Sequence, residues 1–376
     1  FLEDNNGQTW IGTDGGGLNL FDKVTNRFKR FNMDNSQLSS NAIICLQEDS
    51  NNLIWLGTWA GGLVQFDSKT KSFTSLPTQN SGIMDDNIFA IAEGDNDDLW
   101  LGSFENGLIH YQIKEKKFTN YKTSNSGLGN NMVIKIKKIS KGVFLIGTPN
   151  CLQIFSQSKG SFLTYVHDPN NTNSLSLSAI TDILVENDSS VWIGTQNGLN
   201  RFNPNTASFI RYYEKDGLPD NVINGILIDD SGMLWVTTHN GVCRFDYKRG
   251  IFKNFTKSDG LQNNEFFERS ILKTKSGALL MGGTKGFSII YPEKIIENKN
   301  IPDVLITDLK IFNKSVKPDG ENSPLFQNIT EIKNLTLSYK QSVLTFYFAA
   351  MDFTAPENTP STYTLEVYDK ARSYSV

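Results

Sequence analysis

Catalysis by side chains needs convergent nucleophiles, bases or metal ligands, and this chain offers few of them. Its three histidines, His110, His167 and His239, stand far apart, and no HExxH spacing, Gly-x-Ser-x-Gly elbow or phosphate-binding loop occurs. The cysteines Cys45, Cys151 and Cys243 form no CxxC pair, so buried free thiols are expected rather than a metal or redox centre. Carboxylates recur at Asp4, Asp49, Glu186, Asp188, Asp229 and Asp230, close to Gly, Asn or Ser. A carboxylate in such a setting holds a turn by accepting backbone N–H groups, and that role outweighs acid–base work. The dense DxDxDG spacing of a calcium loop is missing, so no metal, no cofactor and no catalytic residue is assigned.

The elements behind these residues are repeats. Gly15-Gly16-Gly17 has counterparts at Ala60-Gly61-Gly62 and Asn197-Gly198, which marks a recurring turn. Before the turn comes a hydrophobic segment: Trp10-Ile11-Gly12-Thr13, Trp55-Leu56-Gly57-Thr58, Trp100-Leu101-Gly102-Ser103, Leu145-Ile146-Gly147-Thr148, Trp192-Ile193-Gly194-Thr195, Trp235-Val236-Thr237-Thr238 and Leu280-Met281-Gly282-Gly283. The spacings are 45, 45, 45, 47, 43 and 45 residues. A period near 45 marks a β-propeller in which each repeat is one four-stranded blade. In the copy around Trp235, strands are expected at Val222 to Asp229, Leu234 to Thr237, Val242 to Asp246 and Phe252 to Phe255, parted by Gly-containing turns. The Trp at a fixed mid-strand place is expected to fill the wedge between blades. Core positions are also expected for the third-strand aromatics Phe21, Phe66, Tyr111, Phe155, Phe202, Phe245 and Tyr291, and for outer pairs such as Phe28/Phe31 and Phe252/Phe255.

The chain has 376 residues, with room for a large and a small domain. The fold class expected is all-β: a seven-bladed β-propeller over residues 1–297, then a partial immunoglobulin-like β-sandwich over 298–376. In the second part Val304 to Phe312, Leu335 to Tyr339, Val343 to Ala349 and Tyr363 to Tyr368 read as strands, fewer than the roughly seven of a full sandwich. A net charge of −4 gives no basic field for nucleic acid. No apolar run reaches membrane-span length and no signal peptide is visible. Phe1-Leu2-Glu3-Asp4 matches Leu46-Gln47-Glu48-Asp49, so the chain opens inside a repeat, and an incomplete seam between first and last blades is expected.

The stretch from Asp188 through Trp192-Ile193-Gly194-Thr195, Gly198-Leu199 and Phe202-Asn203 resembles the two-component regulator propeller repeat. Gly260-Leu261-Gln262-Asn263-Asn264-Glu265-Phe266, with Met281-Gly282-Gly283-Thr284-Lys285-Gly286-Phe287 and Tyr291-Pro292, resembles the variant blade that ends such propellers. The fourth copy departs, with Pro149-Asn150-Cys151 in place of the Gly turn. Ser338-Tyr339, Phe346 to Ala350 and Tyr363 to Lys370 are similar to the tyrosine-rich β-domain that follows these propellers. The resemblance implies a non-catalytic, periplasmic sensor region of a hybrid two-component histidine kinase that controls transcription. It further implies tethering through a downstream membrane helix, homodimeric pairing of full-length sensors, and glycan-fragment ligands such as gut-bacterial members take. No direct nucleic-acid contact by this region is expected.

Binding residues in a propeller gather on loops at one end of the channel. On the turns at that end the residues that break the repeat are Asp14, Trp59, Phe104, Glu105, Gln196, Asn197, His239, Asn240 and Lys285. Two aromatics beside amides and charges suit an oligosaccharide or another small molecule. Equally, the aromatics could cover a channel mouth or a domain contact. Two rival functions are a propeller lyase or hydrolase, for which only His239 stands at this end, and a protein–protein interaction scaffold.

Overall fold

The computed structural model describes residues 1–76, 85–295, 304–318, 320, 323–350, 361–363 and 373–375. The chain divides into two units, Phe1–Ile295 and Ile296–Val376. Among its described residues the first holds six four-stranded antiparallel meanders, sheets 1 to 6, spanning residues 2–31, 43–76, 88–121, 135–165, 180–212 and 223–255. Sheet 7, residues 266–290, has three strands. Sheet 6 shows the pattern: Ile223–Ile228, Leu234–Thr238, Gly241–Asp246 and Ile251–Phe255 pair in chain order. The second strand is buried along its whole length, with Trp235 between Leu227 and Arg244 of its neighbours.

The motif residue of each sheet packs against the sheet that follows. Trp10 lies with Leu56 and Phe66, Trp55 with Ile91 and Tyr111, and Trp100 with Phe144 and Phe155. Leu145 lies with Ile183 and Phe202, Trp192 with Ile226 and Phe245, and Trp235 with Phe266 and Met281. All five of these indoles are essentially inaccessible to water. Sheet 7 in turn meets sheet 1, because Phe287 packs edge-on to Phe1, Phe21 and Phe28 at 5.6, 5.3 and 6.4 Å. The contacts therefore run in a closed cycle. Lys275 adds polar links to Glu3, Asp4 and Asn5 at the same seam.

The recurring carboxylates hold turns and indoles together. Asp4 accepts the N–H groups of Asn6 and Gln8 on one oxygen and the Trp10 indole N–H on the other, at 2.9 Å. Asp49 does the same for Asn51, Leu53 and Trp55, and Asp229 for Ser231, Met233 and Trp235. Glu186 accepts from Trp192 at 3.1 Å. Burial pushes the Asp229 carboxyl up, but these hydrogen bonds outweigh it and hold it below the usual range. In sheet 3 Gly94 stands where the carboxylate would be, and the Trp100 indole N–H is buried without a partner.

Three expectations need correction. Phe28 is 54% exposed and Tyr291 42%, so these aromatics are not core. The edge strands cover only one face, and Phe28 stacks on Phe21 from outside at 5.0 Å. In the second unit Val304–Ile311 pairs with Leu344–Ala350 and with Lys314–Ser315, over a small core of Leu309, Leu325 and Ile329. Leu335 to Tyr339 forms no strand, and Tyr339 is exposed. Among the described residues no strand pairs with it. Of the strand expected at Tyr363 to Tyr368, Tyr363 belongs to a short pair, Ser361–Tyr363 with Ser373–Ser375, and 364–368 lie outside the described residues. The three cysteines are free.

Candidate functional site

Trp59 and Phe104 stand on equivalent turns of sheets 2 and 3. Asn87 pins both turns: its side-chain oxygen accepts the Ala60 N–H at 2.9 Å and its carbonyl accepts the Phe104 N–H at 3.1 Å. Ala60 takes the left-handed region, φ 59°, to complete its turn. Asp85 accepts the N–H groups of Glu105 and Asn106, leaving the Glu105 side chain at the surface. So fixed, Trp59 meets Phe104 edge-on at 5.5 Å and Phe89 at 5.9 Å, while Phe89 and Phe104 stack at 5.7 Å. Trp59 keeps 44% of its surface exposed. The guanidinium of Arg269, from sheet 7, lies 5.1 Å over the Phe89 ring. An aromatic surface with a guanidinium over one of its rings can pack a sugar's C–H face and satisfy its hydroxyls.

The other expected residues separate. Asn197 lines a groove of about 540 Å³ with His167, Tyr213, Glu214 and Asn221. His167 is fixed there by its Nδ1 contact with the Leu175 carbonyl at 2.7 Å. Gln196 and His239 are exposed, and the Asn240 side-chain oxygen accepts from Asn264 at 3.3 Å. Lys285 donates its backbone N–H to Gln262 and leaves its ammonium in solvent. Among the described residues no hydrogen bond, ion pair or ring contact joins these side chains to the Trp59–Phe104 pair. Nor does any group of three or more His, Cys, Asp or Glu gather to hold a metal ion among them. Likewise, no described helix is long and apolar enough to cross a membrane.

Sequence reading missed Phe89, Arg269 and the charges Lys135, Lys137 and Asp182 on the inner strands. A signal existed. Where Phe89 stands, sheets 2 and 5 carry Ile44 and Thr181, and Lys135-Ile136-Lys137 interrupts strands otherwise rich in isoleucine.

Residues 37–60 and 217–240 match the two-component regulator propeller repeat. The likeness read from the repeats is thus borne out at two of them. A curated protein of Formosa agariphila, Histidine kinase P4, is 24% identical over 191 residues, which is 51% of this chain and 11% of that protein. Among solved structures, the whole chain aligns with the extracellular domain described as that of hybrid two component system BT3049 of B. thetaiotaomicron. The TM-score is 0.77 at 24% identity, over 49% of that domain. The corresponding domain of BT4673 gives 0.64 at 20%, over all of this chain and 51% of that one. The WD40 β-propeller domain of Doa1 gives 0.56 at 14%, over 78% of this chain and 92% of that one. The chain spans about half the length of the solved extracellular domains and about a tenth of the curated kinase. These likenesses establish an all-β propeller fold.

Proposed function

We propose that this chain is the ligand-sensing, non-catalytic, extracytoplasmic part of a hybrid two-component sensor histidine kinase. The observation that carries the reading is the full-length alignment with the BT3049 extracellular domain, joined to the two matched repeats. The ligand is a glycan fragment bound at the mouth formed by Trp59, Phe89 and Phe104. Binding shifts an equilibrium between two arrangements of paired sensors, by no more than the ligand's differential affinity for them, and so controls transcription. Periplasmic location and membrane tethering follow from this role.

A thermal-shift screen against neutral oligosaccharides tests the reading, since a ligand at 100 times its Kd adds about 2.7 kcal/mol of stability. Trp59→Ala and Phe104→Ala should each weaken the binding about tenfold or more, equivalent to about 1.4 kcal/mol. Asp230→Ala, in a first-to-second-strand turn at the far end, should leave affinity unchanged. Tight binding that ignores both aromatic changes sinks the site. Glycan cleavage abolished by His239→Ala sinks the sensor role in favour of a lyase.

A further inference from the structure

At one level of the ring the inner strands depart from their repeat. The residues paired with Gly57, Gly102, Gly147, Gly194 and Thr237 are Cys45, Ala90, Lys135, Asp182 and Gly225. Two are charged where the others are small. Lys135 Nζ pairs with Asp182 Oδ1 across sheets 4 and 5 at 2.5 Å, and Asp182 Oδ2 accepts the Ile226 N–H of sheet 6 at 2.9 Å. Oδ1 thus meets the Lys135 charge as an ion pair without a hydrogen bond, and Oδ2 is taken by the Ile226 N–H. Lys137, two residues on, shares a strand face with Lys135 and is exposed to water. Among the described residues it makes no hydrogen bond or ion pair. Its ammonium is held down to about 8, by enclosure in protein first and then by the Lys135 charge, against the pull of Asp182. Lys137 stands on the first, innermost strand of sheet 4, on the face from which Lys135 reaches Asp182, and so it lines the central opening.

Sheet 7 supplies a second cation through a distorted strand. Between the pairs Phe266–Gly283 and Ile271–Met281, residues 267–270 stand opposite Gly282 alone. Inside this bulge Arg269 adopts φ 63°, a left-handed conformation that costs a non-glycine residue free energy. Its guanidinium reaches Phe89 of sheet 3. Sheets 1 and 2 separate sheets 7 and 3 in one direction and sheets 4 to 6 in the other, so the contact crosses the centre of the ring. Arg269 Nη2 lies 3.5 Å from the Glu268 carboxylate, whereas Nη1 is buried without a hydrogen-bond partner. Arg269 and Lys135 both act on the Cys45 thiol, opposing the burial that pushes it up to about 12. Phe89 precedes Ala90, which shares its level with Lys135, and Arg269 reaches Phe89 across the ring, so the cations of sheets 4 and 7 face one space.

We propose that this central opening binds a carboxylate-bearing small molecule, gripped by Arg269 near the Phe89 level and by Lys137 beyond it. A guanidinium offers a planar fork that matches a carboxylate, and Phe89 fixes the plane of that fork. A buried unpaired donor and an enclosed ammonium each oppose folding, and a carboxylate between them relieves both. The acidic groups already present do not suffice, because Asp182 is committed to Lys135 and Ile226, and Glu268 meets only Nη2.

The test uses the whole chain with sodium glucuronate, with glucose as its neutral counterpart, and with sodium chloride matching ionic strength. Glucuronate should raise the melting temperature, while glucose and sodium chloride should not. Calorimetry should show at least a tenfold loss of glucuronate affinity in Arg269→Gln and in Lys137→Met. Lys137 makes no bond that folding needs, so its variant keeps the test valid if Arg269→Gln fails to fold. No response to glucuronate, an equal response to glucose, or an affinity unchanged in Lys137→Met overturns the proposal. Neutral-oligosaccharide binding that is lost in Trp59→Ala, without glucuronate binding, overturns this site alone and leaves the aromatic mouth standing.

Discussion

Sheet 3 offers a direct measure of what the indole–carboxylate pairs contribute. Trp100 is fully buried, yet its indole N–H has no acceptor, because Gly94 occupies the place taken elsewhere by Asp4, Asp49, Glu186 and Asp229. An unpaired buried donor costs about 1–3 kcal/mol. Gly94→Asp should recover part of that. Gly94 is not among the residues with positive φ, so a side chain is compatible with the backbone. A Cβ there would meet the Asp98 carbonyl oxygen and Trp100 Cδ1 and Nε1, all at 3.1 Å, so the ring must shift by a few tenths of an ångström. The turn is already acidic, but Asp95 pairs with Lys138 at 2.7 Å, Asp97 with Lys114 at 3.1 Å, and Asp98 with His110 at 3.0 Å. Replacing a compatible glycine also stabilises by about 0.4–1 kcal/mol through the unfolded chain. With strain and charge set against these gains, Gly94→Asp should stabilise by about 1–2 kcal/mol.

The control is Gly94→Ala, which adds the Cβ and the entropy term but no acceptor. Urea unfolding followed by far-UV circular dichroism, at unchanged m, gives the difference between the two variants. In a Trp100→Phe background that difference should vanish, because the donor is gone. If Gly94→Asp is no more stable than Gly94→Ala, or its advantage survives Trp100→Phe, the indole bonds are not the stabilising element inferred from the other sheets.

Trp192→Ala should cost about 3–5 kcal/mol, since it empties a fully buried wedge between sheets 5 and 6; a loss under 1 kcal/mol by the same assay would contradict the packing. Asp229→Asn should destabilise at neutral pH. The folded carboxyl is held below its ordinary value, so its contribution is present above the unfolded pKa and is lost as pH falls through the folded one. The gap between variant and parent should therefore narrow in acid, and a gap independent of pH would refute the assignment. Lys137→Met should stabilise at pH 7. Its ammonium titrates at about 8 instead of 10.5, so the charge opposes folding fully below pH 8, and the variant's advantage should fade between pH 8 and 10.5 in paired unfolding curves. A constant advantage would mean that packing, not charge, is responsible.

What the chain reveals in one dimension depends on how far apart the interacting residues lie. The period, the turns and the buried indoles were legible because each blade is local: sheet 6 forms from about thirty consecutive residues, and its turn signals fall where the strands end. The carboxylate-to-Trp spacing was equally open to inspection, as Asp4/Trp10, Asp49/Trp55, Glu186/Trp192 and Asp229/Trp235 are each six residues apart. The turn role was readable from it, while the indole bond needed the strand geometry that brings the ring back over the turn. Phe28 misled because alternation gives the two faces of a strand but not whether a neighbour covers the outer one. Trp59 and Phe104 were recognisable as breaks in a repeat. Phe89, their third partner, was hidden in a strand where an aromatic reads as core.

The charges of the central opening were illegible for a stronger reason. Lys135, Asp182 and Arg269 come from sheets 4, 5 and 7, and only closure of the ring brings them together; no local period encodes that. Their cost is what makes them informative. A lining with no task beyond support could repeat the small or apolar residues of its neighbours, such as Ala90 and Gly225, and would need neither a left-handed arginine nor an enclosed lysine. Local rules broken without an evident structural return are where function is to be sought. The bond from Asp182 to Ile226 explains that carboxylate, and Asp182 explains Lys135. No contact among the described residues explains Lys137 or the second terminal nitrogen of Arg269. A ligand's negative charge would account for both.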